Sequence, residues 1–360
     1  MSLFRWESSA RTLAAGLFAF CAGALALAQP AAAAPRPDTV PAVPKFAVLP
    51  AKNVELRAQA GGLPTWVFNW TYQLNNYNAT FVGNAPTGAA TTVPSFIIPI
   101  KFVVAGQTFT PTTLQSNGQS ALADTRLSPI FRAGIDFVQG GVDLGNTQYI
   151  DAYQRGDFWS RVQTNPSYHV LLGTPTVLPL QTITVPRRSG SVGVAFGITV
   201  ALVDINFVDS QIQAILAANP QITAASVPVF MSYNTYLTDG GCCIGGYHSA
   251  NGAQTYMQFS YIGTADKFSQ DVSALSHEMG EWLLDPFTVN TNTPCGILEN
   301  GDPLENDPNF GDYPYVLHGT FTYHLQDLVF MPYFGAKAST SVLNRFTFQG
   351  TPLTVCQNGA

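Results

Sequence analysis

SQDVSALSHEMGEWLLDPFTVNTNTPCGILENGDPLENDPNFGD, from Ser269 to Asp312, is the stretch on which the reading of this chain turns. It holds nine carboxylates and no Lys or Arg, and it contains four of the chain's six glutamates: Glu278, Glu281, Glu299 and Glu305. Carboxylates gathered without a side-chain cation repel one another unless they take up protons or share a metal ion. A bound metal ion is the first expectation.

The first half of this stretch predicts a helix. Ser269 suits the N-cap, Asp271 the first turn, and Pro286 forces the end. Leu275, Met279 and Trp282 share one apolar stripe, which would lie across a sheet. His277 and Glu281 are spaced i,i+4 and leave the same face one turn apart, as two ligands of one ion must. Glu278 projects beside them, where a carboxylate can take a proton from a metal-activated water. Zinc needs three or four protein ligands. Glu299 is the expected third and Asp302 lies close behind it, with His248, His318 and His324 as rivals. The competing reading is an acidic, capped surface helix with no ion. The scarcity of glutamate elsewhere in the chain argues against it.

The second half, Asn300 to Asn309, packs Asp, Asn and Glu oxygens around Gly and Pro turns. Such a set suits calcium, although the spacing is not that of an EF-hand and Asx-turns account for much of it. Zinc is therefore the expected cofactor, with an additional calcium ion as the weaker alternative to plain Asx-turns. A glutamate at the second helix position in place of histidine hardens the ligand set and makes calcium or manganese more competitive.

Working outward, the chain reads as strands with few helices. Trp66–Tyr72, Ser95–Val104, Val227–Tyr233 and Gln254–Ile262 are β-prone runs, and Val177–Val208 holds more. Short helices are expected within 119–137 and over Asp151–Trp159, and a longer one over Asp209–Ala218, capped by Asp209 or Ser210 and ended by Asn219-Pro220. Asp151–Trp159 mixes charge and aromatics, which suits a structural ion pair with aromatic packing better than a ligand contact, and His169 reads as a packed residue. The strand ending near Ile262 offers an edge on which an extended peptide could pair. The fold class is α+β, a β-rich body with the central helix packed on a mixed sheet.

At the other end of the chain, Arg5 and Arg11, the apolar run Leu13–Ala28 and small residues before Gln29 follow the order of a secretory signal peptide. The run is shorter than the roughly 20 residues of a membrane span, and no later segment is long and apolar enough to make one. The expected organisation is a signal peptide at 1–28, a Pro/Ala-rich linker or arm at 29–62, a β-rich region at 63–225 and a metal-binding region at 226–360. A secreted or periplasmic location follows. With 11% charged residues and a net charge of −6, nucleic acid and anionic membrane surfaces are excluded as partners. Cys242, Cys243, Cys295 and Cys356 follow the leader; Cys242 and Cys243 are expected to bridge separately to Cys295 and Cys356, because a vicinal bridge is strained.

The helix motif His277-Glu278-Met279-Gly280-Glu281, with Asp285-Pro286 and then Glu299-x-x-Asp302, is similar to a pattern in the phosphate-induced, Exordium-like secreted proteins and in a broad set of exported bacterial proteins. Gly241-Cys242-Cys243-Ile244-Gly245-Gly246-Tyr247-His248 resembles their Cys-rich segment ending in His. Tyr323-His324-Leu325-Gln326-Asp327 and Met331-Pro332-Tyr333-Phe334 resemble the bacterial set. The resemblance covers about residues 225–335 and implies a zincin-like arrangement. Two function classes stand. One is an exported zinc hydrolase cleaving peptides or cell-envelope material, with Glu278 as general base and His324 or His318 stabilising the oxyanion. The other is a non-catalytic extracellular or cell-envelope binding protein holding its zinc or calcium for stability. Glu278 is the discriminating residue, because a purely structural site has no need of it.

Overall fold

The computed structural model describes residues 37–53, 62–115, 117–294, 298–299, 301–317, 321–338 and 345–353. The expected leader lies outside them, as do Cys295, Asn300, His318 and Cys356. Pro37–Ala360 forms one compact unit. Its five α-helices among the described residues are α1 (Ala121–Leu127), α2 (Tyr149–Asp157), α3 (Trp159–Val162), α4 (Ile205–Ala218) and α5 (Ser273–Leu284). The rest is dominated by strands, and the fold is the expected β-rich α+β. No helix among the described residues is long and apolar enough to cross a membrane.

The central sheet runs in the order Thr176–Val177, Ser95–Val104, Val227–Tyr233, Gln254–Tyr261, Gly246–Asn251. The three middle strands are parallel, and the last is antiparallel to its neighbour. Both faces are covered, which explains the unbroken apolar runs. Ile97, Val229, Met231, Met257 and Phe259 point into one core, which also takes in Leu275, Met279 and Trp282 of α5. Ile98, Ile100, Phe230 and Tyr256 point into the other, with Ile205, Val208 and Ile212 of α4. The period of two along each strand thus splits one sheet between two cores.

A second sheet runs Asp38–Thr39, Gly190–Ala195, Ile198–Asp204, Thr235–Thr238, Cys242–Ile244, Ala42–Lys45. Its two end strands are neighbours in sequence. Asp38–Thr39 pairs with Gly193 and Val194, Ala42–Lys45 pairs with Cys242 and Ile244, and the Val40 amide bonds the Val194 carbonyl. Residues 38–45 therefore form one stave that pairs with both ends of the strand order and joins them. Part of the expected linker is in this way a structural strand. The 63–225 and 226–360 regions also share both sheets, since Ser95–Val104 pairs with Val227–Tyr233 and Ile198–Asp204 with Thr235–Thr238.

Three local expectations need correction. Cys242 and Cys243 are bonded to each other across a cis peptide, with Cα atoms 3.1 Å apart, and not to distant cysteines. The sulfur nearest to each is its neighbour's, so neither has to reach across the fold. α4 begins at Ile205, not at Asp209, because Asp204 accepts the Phe207 amide and caps it. Asp209 is buried instead, where it accepts Tyr247 and Tyr256 hydroxyls and pairs with Lys52. The strand ending at Tyr261 offers no free edge, being paired on both sides. Of the short segments, Asp151 pairs with His169 and the Arg155 guanidinium donates to the Tyr168 carbonyl, both structural roles.

Candidate metal centre

α5 is buried along its whole length, against the strands Gly246–Asn251, Gln254–Tyr261 and Phe321–Gln326 and against α2. It starts three residues later than the caps suggest, with Val272 and not Ser269 at the N-cap. The Ser269 hydroxyl donates to the Ser260 carbonyl, and Asp271 turns away to receive the backbone N–H and Nδ1 of His324. Val272 is left at the cap position, without a side-chain bond. At the other end Asp285 and Pro286 stop the helix as expected, and the Asp285 carboxylate gathers the Val289 and Asn290 amides. The Trp282 indole donates to Thr255 on the sheet and fixes the helix rotation. Gly280 is needed for packing, because a Cβ there would stand 2.6 Å from the Tyr153 ring.

This rotation brings His277, Glu278 and Glu281 into one buried cluster, none more than 3% exposed. Gln326 Oε1 accepts the His277 Nδ1–H at 2.8 Å. The neutral ring then presents a bare Nε2, which lies 3.1 Å from Glu281 Oε2 and 3.5 Å from Asp302 Oδ1. His248 arrives from the strand Gly246–Asn251 in the mirrored tautomer. Its Nε2–H donates to the Asp285 carbonyl at 3.0 Å, and its bare Nδ1 faces Glu278 Oε2 at 3.4 Å and Glu299 Oε2 at 3.8 Å. An imidazole nitrogen without a proton and a carboxylate oxygen are both acceptors. They face one another stably only around a proton or a cation.

Burial decides the charge states in the absence of a cation. It lowers His277, and takes His248 down to about 4, so both rings are neutral. Burial pushes Glu278 well above the carboxylate range, and Glu299 and Asp302 push it further. Burial and the neighbouring acids do the same to Glu281 and Glu299, whose carboxyl groups are hydrogen bonded to each other. Glu281 is additionally held by the Gly301 amide, at 3.0 Å. Gly301 must be glycine for space: a Cβ would stand 2.4 Å from Gln326 Oε1 and 2.5 Å from His277 Nδ1.

Among the described residues, two sets of side chains can each close on an ion with ligand atoms within 4.8 Å of one another: His277, Glu281 and Asp302, and His248, Glu281 and Glu299. The donor set fits a divalent cation. Within it the buried His277 Nε2, and beside it Glu278 Oε1, have no hydrogen-bond partner. Of the residues expected from the sequence, His277, Glu278, Glu281, Glu299 and Asp302 come together. His324 joins neither set; it pairs with Asp271 and lines two open pockets. His248, ranked in the sequence only as a rival ligand, is inside the cluster, and the Cys-rich segment that ends in it was the signal. Gln326 carries no ligand-type signal in the sequence, because a neutral amide shows its use only through the His277 ring it meets. Phe46, whose ring stacks on His277, had no signal at all.

In the calcium-like segment, Asp302 faces His277, while Glu305 and Asn309 serve backbone groups. Glu305 accepts the Phe46 amide and sits at about 7, raised by burial and by Asp302, while Asn309 closes a turn with Gly311 and Asp312. No family model, no curated protein and no solved structure matches this chain.

Proposed function

We propose that this chain is an exported, divalent-metal-dependent hydrolase acting on peptide bonds. The observation that carries the reading is the bare His277 Nε2, locked by Gln326 and aimed at Glu281 and Asp302, with the Glu278 carboxylate beside them. His277, Glu281 and Asp302 would hold zinc, with Glu299 close by. The ion would supply an acidified water and a polarised carbonyl. Glu278, its Oε1 without a partner, has the free acceptor that a general base requires. Its raised affinity for protons suits it to accept one and return it to a leaving amine. Export is supported by the leader-like sequence and by the Cys242–Cys243 bond, which belongs to an oxidising compartment. The motif resemblance to zincin-like exported proteins points the same way.

A second reading has its own observation. His277, Glu278 and Glu281 are buried, and the Phe46 ring covers His277. A centre closed in this way suits an ion kept for stability in a non-catalytic cell-envelope binding protein. One comparison separates the two. After chelation and reconstitution with zinc, the protein and its Glu278→Gln variant are assayed on a pool of unstructured peptides. A hydrolase loses on the order of 10²–10⁴-fold in rate in the variant while keeping its zinc. Zinc-loaded wild-type protein that cleaves nothing leaves the structural reading standing.

A further inference from the structure

We infer that the centre is built for two divalent cations sharing Glu281, not for one. The inference rests on the metal-binding part of the reading above and is independent of whether the centre is catalytic.

Three observations carry it. First, the cluster contains two imidazoles whose tautomers are fixed from opposite sides. Gln326 holds Nδ1 of His277 and frees Nε2; the Asp285 carbonyl holds Nε2 of His248 and frees Nδ1. A ligating histidine that donates its other N–H to a carbonyl oxygen is the usual arrangement behind a metal, and it occurs twice here. Second, the bare nitrogens face different carboxylates: Glu281 and Asp302 for His277, Glu278 and Glu299 for His248. The two sets that can close on an ion have only Glu281 in common. Glu281 is hydrogen bonded to Glu299, so its carboxyl group lies between the two imidazole-centred halves. Third, Glu278 turns Oε2 to His248 and keeps a buried Oε1 without a hydrogen-bond partner, which one ion at His277 leaves unexplained.

Charge agrees with geometry. Glu278, Glu281, Glu299 and Asp302 bring four negative charges when ionised, and the two imidazoles are neutral. One divalent ion balances two of those charges, and the second balances the others. Each half offers one nitrogen with carboxylate oxygens, a donor set for Zn²⁺ or Mn²⁺ rather than for Ca²⁺.

The test uses the full chain stripped with chelator and titrated with Mn²⁺, read by calorimetry and by electron paramagnetic resonance. Two equivalents are expected, and the second should produce the spin-coupled spectrum of a bridged pair. His248→Ala should retain one equivalent and show only an isolated Mn²⁺ signal. A wild-type stoichiometry of one overturns the inference, and so do two equivalents without spin coupling. If His248→Ala does not fold, the wild-type stoichiometry and spectrum decide alone. Two coupled ions without peptide hydrolysis would sink the hydrolase and leave this inference intact. One ion with Glu278-dependent hydrolysis would do the reverse.

Discussion

The Phe46 ring lies almost parallel on the His277 imidazole, with centroids 3.5 Å apart and planes 16° apart. Phe268 meets the same ring edge-on, and the Phe46 amide is tied to Glu305 at 2.8 Å. The residue that follows the closing stave thus fixes the plane of a metal-facing imidazole and shields it from water.

Phe46→Ala removes a ring that is 5% exposed and should lower stability by about 3–5 kcal/mol, as for other buried phenylalanines. Because the ring also screens the centre, a chelator should strip metal from the variant faster than from wild type. Thermal melts and a stopped-flow chelation assay measure the two effects separately. Unchanged stripping would mean that the ring packs without screening.

Gln326→Leu removes the acceptor that selects the His277 tautomer and leaves Nδ1–H buried without a partner. Metal affinity should fall about 10–100-fold, the usual cost of losing such a support. Competition with a chromogenic chelator gives the number, and circular dichroism shows whether the fold survives.

The carboxylates make the metal-free protein sensitive to pH. Asp285 and Glu305, ordinarily at 3.8 and 4.5, both sit at about 7 in the fold, mainly through burial. Between those limits the folded state holds the extra protons, so their contribution to stability declines as pH rises from about 4 to about 7. His248 acts in the opposite sense, costing stability as pH falls from 6.5 towards about 4. Glu278, Glu281 and Glu299 are also raised, so the acids outweigh the histidines. Metal binds the ionised carboxylates. The gap between metal-loaded and metal-free melting temperatures should therefore widen from pH 5 to pH 7.5. A constant gap across that range would rule out the carboxylates as ligands.

Gly280→Ala adds a methyl group 2.6 Å from the Tyr153 ring, between two buried helices. Overpacking of this kind should cost about 1–3 kcal/mol in a denaturant melt, with no direct loss of a ligand. A neutral outcome would mean that α2 yields easily.

The strands and the central helix were legible in the sequence because their signals are local. Val227–Tyr233 reads directly as a buried strand, and His277, Glu278 and Glu281 follow from helix spacing. What was not legible depends on which distant backbone atom a side chain meets. Ser269 could cap a helix on paper, yet the Ser260 carbonyl takes its hydroxyl. His248 and His324 looked equivalent as rival ligands. One meets the Asp285 carbonyl and enters the cluster, and the other meets Asp271 and stays outside. Cys242 looked too close to Cys243 to bond it, and bonds it nonetheless.

The stave formed by residues 38–45 also bears on the order of assembly. Its partners are Gly193 and Val194 on one side and Cys242 and Ile244 on the other. Synthesis starts from the N-terminus, so this strand emerges first and waits through most of the chain for both neighbours. Such long-range closure is slow and leaves strand edges open to other chains meanwhile. The polypeptide therefore reaches its closed form only after the segment carrying Cys242 and Cys243 has been made, and Phe46 can settle on His277 only later still.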